Sequence, residues 1–155
     1  MQLERDYRDA LSSFATGVGL VSTHHQGVGK AITINSFASV SLEPRLVLWS
    51  LDRKTQRFAA YDEADHFAIH ILKADQKDVA LHFARQDDVS SIIQHWRAND
   101  HHVPITDDAL ARFECRRYAH YDGGDHVIIV GEVIAFARLS DDPALVFHNS
   151  QFSKL

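Results

Sequence analysis

The sequence predicts a mainly β protein, a closed or half-closed antiparallel barrel with flanking helices. Three observations carry this. Roughly six short runs rich in β-branched and apolar residues are bounded by glycine, proline or polar breakers. Two of the longest flank the turn Asp122-Gly123-Gly124-Asp125, the pattern of a hairpin. Helical periods fall between and beside the strands with no regular strand-helix alternation, which argues against a doubly wound parallel sheet.

The elements follow in order. Leu3, Tyr7, Ala10, Leu11 and Phe14 recur at spacings of three and four, so residues 3–15 are predicted as a helix with one buried face. Gly17 and Gly19 end that period, and Leu20-Val21-Ser22-Thr23 begins a strand. After the turn Gln26-Gly27, Ala31 to Ile34 form the next strand, followed by a polar-aromatic segment over 35–41. Pro44 marks a loop before the buried strand Leu46 to Leu51. Residues 53–62 read as a short helix and Phe67 to Leu72 as a strand. Asp75 is placed to cap a further helix carrying Val79, Leu81 and Phe83. From Asp87 to Asp107 the chain is polar around Trp96 and reads as irregular or loosely helical. An alternating segment from Leu110 to Tyr118, the glycine turn and the run His126 to Leu139 give the hairpin, and Ala144 to Phe147 one last strand. No linker divides the chain, so a single domain over 1–155 is expected.

Composition narrows the function. The 155 residues include 45% hydrophobic and 24% charged side chains, an ordinary globular balance, and a domain near this size buries roughly 70% of its unfolded surface. A net charge of -5 with scattered Lys and Arg lacks the basic stripe that nucleic acid requires. The start MQLERDYRDA is charged where a signal peptide is apolar, and no later run approaches the roughly 20 apolar residues of a membrane span. With Cys115 as the single cysteine, no internal disulfide forms, and a reduced cytoplasmic setting is the simpler expectation.

Common catalytic patterns are missing. Eleven histidines invite a metal, but His24-His25 and His101-His102 would point to opposite faces of a strand. His66 and His70 would share a face roughly 13 Å apart. No metal site is therefore expected. Cys115 falls mid-strand, where a small buried side chain is commoner than a nucleophile. Gly17-Val18-Gly19 and Gly27-Val28-Gly29-Lys30 lack the spacing of a dinucleotide or P-loop fingerprint. What remains is a set of hydroxyls and an amide at strand ends, Thr33, Asn35, Ser36, Ser50 and Thr55, with Arg53, Lys54 and Arg57 nearby. This set suits a planar heterocycle bearing a phosphate, but taken alone it better suits turns beside a solvated basic loop.

A resemblance decides between the two. Phe14-Ala15-Thr16-Gly17-Val18, the segment Ala31 to Pro44, and Leu46 to Arg53 closely resemble the flavin reductase family, and the likeness continues through His66 to Leu72, Leu81-His82-Phe83-Ala84, Phe113-Glu114-Cys115 and Gly124 to Val133. It spans nearly the whole chain in order. The resemblance implies a six-stranded antiparallel Greek-key split β-barrel, homodimeric, that takes FMN or FAD and a hydride from NADH or NADPH and supplies reduced flavin to a partner oxygenase. It further implies that Thr33, Asn35 and Ser36 line the ring and ribityl chain, that Ser50 and Leu51 meet the ring edge, that Lys54 and Thr55 reach the phosphate, and that Phe83 and Ala84 add a contact. His126, in the Gly-Asp-His step, matches a residue beside the nicotinamide, and is the expected catalytic group. A flavin-binding module without turnover, or a relative of the pyridoxine-phosphate oxidases, is the alternative. Glu43-Pro44-Arg45, Trp49 and His102-Val103-Pro104 depart from the family's pattern, and Trp49 is bulky for its position.

Overall fold

A computed structural model describes residues 1–87, 89 and 95–155. The chain runs through helix α1 (Gln2–Ser12), strands β1 (Thr16–Gly17), β2 (Gly19–His25), β3 (Val28–Ile34), β4 (Ala38–Leu42) and β5 (Arg45–Asp52), and helix α2 (Phe58–Asp62). It continues with β6 (His66–Ile71), α3 (Lys77–Arg85), β7 (Trp96–Ala98), β8 (Pro104–Thr106), β9 (Ala111–Gly123), β10 (His126–Arg138), β11 (Leu145–His148) and β12 (Gln151–Lys154). Seven strands make one antiparallel sheet in the order β3-β2-β6-β9-β10-β5-β4, six long strands and the short edge strand β4. Small sheets β1-β11-β12 and β7-β8 flank it.

The large sheet curls. Val21 of β2 and Trp49 and Leu51 of β5 share one core cluster with Phe67, Ile69 and Ile129, although three strands separate β2 from β5. Four strand spacings of a flat sheet would hold them about 19 Å apart. Curling is assisted at β10, whose pairing with β9 slips at Val130/Gly131 and at Val133/Ala135, and such bulges sharpen twist. Gly131 is required there: a Cβ would sit 2.5 Å from Phe67 Cζ and 2.9 Å from Cys115 Cβ. Helix α2 packs against both β2 and β5 and fills the gap between them with Ala60 and Tyr61.

A second core lies on the other face of β2, where Val18, Leu20 and Ala31 meet Ala80 and Phe83 of α3. Strand β2 is thus buried on both faces from Gly19 to Thr23. Its buried hydroxyls are satisfied: Ser22 donates to the Pro104 carbonyl (2.6 Å) and Thr23 to that of His66 (2.9 Å).

Several sequence expectations need correction. The first helix ends at Ser12, and its apolar face is left open: Leu3, Tyr7 and Leu11, with Phe14 just beyond, are 56–81% exposed because no element among the described residues packs over them. Of 53–62 only Phe58–Asp62 is helical, since the Asp52 carboxylate accepts the Lys54 N–H and turns the chain before it. Asp75 is not the cap of α3, whose N-cap is Gln76; the Gln76 side chain accepts the Lys73 N–H, building a short 3₁₀ turn (Ala74–Gln76) ahead of α3. Within 87–107, Trp96–Ala98 pairs with Pro104–Thr106 as a small sheet, while residues 88 and 90–94 lie outside the described residues.

His70 is a polar, titratable group buried in the fold. It is fully buried on β6, accepts the Thr106 N–H at Nε2 (3.2 Å) and meets Trp96 edge-on. Burial, aided by the nearby Arg112 guanidinium, pushes its pKa down from 6.5 to about 3. The unfolded chain therefore binds a proton that the folded chain refuses, so this group costs nothing at high pH and destabilises the fold as pH falls from 6.5 toward 3. Urea unfolding should lose about 2 kcal/mol to this group at pH 5 relative to pH 8. His70→Gln, which keeps an acceptor, should flatten that slope; an unchanged slope would remove His70 as its source.

Candidate functional site

Three groups of the predicted site residues are built at one edge of the barrel. The first borders a cleft of about 300 Å³: Thr33 and Asn35 at the end of β3, Leu81 and Ala84 of α3, and Phe147 and Phe152 of β11 and β12. Thr33 donates its hydroxyl to the Ala80 carbonyl at 2.6 Å and so ties β3 to α3. Asn35 is exposed, and its amide makes no hydrogen bond among the described residues. Phe147 and Phe152 pack at 5.1 Å between ring centroids and give the cleft an apolar end.

The second group follows β5. The Ser50 N–H donates to Ser36 Oγ at 3.0 Å, joining the segment after β3 to the strand that curling brings beside it. At the strand's end Asp52 turns the chain through Lys54 to Thr55, whose hydroxyl accepts the Arg57 N–H at 3.3 Å. Of the three cations near this turn, Arg53 is engaged with Asp122 (2.7 Å) and the Gly124 carbonyl (2.9 Å), and Arg57 with the carbonyls ending α3. Lys54 is exposed and holds no ion pair among the described residues, which leaves its ammonium open to an anion.

The third group is the hairpin turn. His126 pairs with Asp52 across β10 and β5, and Gly124 adopts a φ of +75° that glycine tolerates. Arg53 donates its N–H to the Asp125 carbonyl at 3.0 Å, which fixes the turn beside the Lys54 segment. His126 Nδ1 lies 2.7 Å from Asp125 Oδ1. The hydrogen bond from His126 holds the Asp125 carboxyl below its usual range, and a carboxylate only accepts, so the bond places the hydrogen on Nδ1, and Nε2 makes no hydrogen bond among the described residues.

Phe83 and Leu51 do not line the cleft, and could offer a ligand only their backbone. Their side chains are 0% and 1% exposed and belong to the two cores, while the Phe83 carbonyl already accepts from Arg57. Trp49 likewise points into the core, edge-on to Tyr61 and Phe67, so its bulk does not narrow the cleft. Cys115 is buried and its thiol is pushed up to about 12 by burial, which removes it as a nucleophile. Sequence reasoning missed Asp125 as the partner of His126, although the two are adjacent, and missed Phe147 and Phe152, whose place depends on a small sheet with little sequence signal.

The curled antiparallel sheet brings an apolar-backed cleft, an amide without a hydrogen bond among the described residues and a cationic turn to its strand ends, and so defines the class as a split-barrel protein with a cleft at one edge. The chain belongs to the family described as flavin reductase like domain, whose profile matches residues 11–155. It is 46% identical to the FMN reductase (NADH) SmoA of Agrobacterium fabrum over 150 residues, 97% of this chain and 85% of that protein. The reductase component of the flavin-dependent trigonelline monooxygenase of Acinetobacter baylyi is 41% identical over 85% of this chain, which spans 43% of that longer protein. Among solved structures, the Streptomyces globisporus NADH:FAD oxidoreductase SgcE6 in complex with NAD and FAD fragments superposes with a TM-score of 0.88 at 30% identity, covering 99% of this chain and 93% of that one.

Thr33→Val keeps the side chain's shape and deletes the bond to Ala80. Chemical unfolding should register a loss of about 1 kcal/mol. An unchanged midpoint would mean that this bond does not seat α3.

Proposed function

We propose that the protein is an NAD(P)H:flavin oxidoreductase that passes hydride from a reduced nicotinamide to FMN or FAD and supplies the reduced flavin to a partner oxygenase. The observation that carries this reading is the meeting of the cleft at Asn35 and Ala84 with the Lys54-Thr55 turn and the His126-Asp125 pair on one barrel edge. The donor set fits a flavin: the Asn35 amide and Ser36 hydroxyl suit the carbonyl and ring-nitrogen edge, and Lys54 with Thr55 suits a phosphate. When bound, flavin supplies a hydride acceptor at its ring N5 and needs no nucleophile or acid-base dyad from the protein. The chain's task is to hold two flat rings in contact, which converts a collision into an oriented encounter. With the Asp125 carboxylate accepting from Nδ1–H, the ring of His126 is held in one orientation and Nε2 is left as an acceptor.

The relative named as a monooxygenase reductase component supports an oxygenase partner, and a single reduced cysteine is in keeping with the cytoplasm. No helix among the described residues is long and apolar enough to cross a membrane. A homodimer accounts for the uncovered face of α1, where Leu3, Tyr7 and Leu11, with Phe14 just after the helix, stand in solvent in the single chain.

NADH loss at 340 nm should depend on added FMN or FAD. Protein that binds flavin without consuming nicotinamide would instead be a flavin-binding module. His126→Ala should slow hydride transfer roughly tenfold or more at saturating NADH, equivalent to about 1.4 kcal/mol of barrel-edge orientation lost from the transition state. An unchanged rate removes His126 from the site.

Light scattering should give twice the chain mass, and the pair Leu11→Glu and Phe14→Glu should give one. A wild-type monomer would sink the dimer.

A further inference from the structure

Arg57 stands where an arginine would ordinarily be taken for a phosphate ligand, yet its guanidinium is committed elsewhere. Nη1 donates to the Phe83 carbonyl at 2.8 Å and more weakly to that of Gln86 at 3.4 Å, and Nη2 donates to the Ala84 carbonyl at 3.0 Å. The carbonyls at the end of a helix have no partners within it and gather partial negative charge, so a cation with several fixed donors is the suited cap. No residue of α3's own last turn makes these bonds; the cap comes from 26 residues upstream. At the same time the Arg57 backbone N–H donates to Thr55 Oγ1.

One residue therefore joins the α3 wall of the cleft at Ala84 to the Lys54-Thr55 turn. The middle of α3 and the chain just past its C-terminus are held to β3 by different bonds: Thr33 to Ala80, Ala31 N–H to the Asp87 carbonyl (2.8 Å), and Lys30 to Asp87 (3.1 Å). Those bonds leave the turn untouched. Without Arg57, no hydrogen bond among the described residues ties residues 52–56 to α3.

We propose that Arg57 is a positioning residue that sets recognition of the flavin's phosphate from behind, by holding the Lys54-Thr55 turn in register with α3. The proposal rests on the flavin reading above. It separates Arg57 from Lys54: the lysine meets the anion, and the arginine fixes where that meeting happens. Because the guanidinium makes three bonds in a planar fork, a lysine cannot replace it here, although a lysine could replace it as a direct phosphate ligand.

The test compares FMN with riboflavin, which lacks the phosphate, by fluorescence quenching on wild type, Arg57→Ala and Arg57→Lys, with thermal unfolding recorded in parallel. Arg57→Ala should weaken FMN at least tenfold and riboflavin less than threefold, collapsing the preference for FMN, and Arg57→Lys should not restore it. A loss of thermal stability with the wild-type preference intact would mean a merely structural cap and overturn the proposal. Restoration by Arg57→Lys would mean direct phosphate contact and overturn it too. Should Arg57→Ala not fold, the preference in Arg57→Lys decides alone: collapsed supports the proposal, intact refutes it. Wild type binding neither flavin is a distinct result that removes the flavin reading and this proposal with it.

Discussion

The curl of the seven-stranded sheet is the constraint on which the remaining structure depends. A flat sheet would leave the ends of β3 and β5 far apart, and Ser36 could not accept the Ser50 N–H. Curling is driven by the shared core of Val21, Trp49, Leu51, Phe67 and Ile69, because apolar faces of strands four positions apart lose most water by closing on one another. It is permitted by the slips in β10 and by Gly131, which yields its side-chain space to Phe67. The cleft is a by-product of this closure, formed where the curled edge meets α3.

Charge is allotted economically around that cleft. Arg53 braces the hairpin turn through Gly124 and Asp122, Arg57 caps α3, and Lys54 alone of the three faces solvent without an ion pair among the described residues. Asp125 orients His126 from the same turn that Arg53 braces, so the two polar groups nearest the open side share one support. The apolar counterpart, Phe147 against Phe152, comes from the small sheet of β1, β11 and β12 and backs the other end of the cleft.

Much of this was legible in the sequence. The strands with long apolar or β-branched runs, the hairpin at Gly123-Gly124 and the buried position of Cys115 follow from local chemistry and appear as expected. Asn35, Ser36, Ser50 and Thr55 stood out as polar groups at strand ends, and the structure gathers them along one edge. What stayed hidden depends on distant partners. Strands β7 and β8 are three residues each and exist only because they pair; the fate of the α1 face depends on what covers it; and the inward turn of the Phe83 side chain depends on Trp96 and the second core. Arg57 could be noticed as a cation, but nothing in its neighbourhood of sequence points to carbonyls 26 residues onward.

The central claim is that flavin sits along this edge, between β3 with α3 and the turn after β5. Amide chemical shifts of ¹⁵N-labelled protein titrated with FMN test it most directly. Perturbations should concentrate in residues 33–36, 50–55 and 83–84. Shifts gathered instead around the stacked rings of His66 and His101, or spread without focus, would contradict the account.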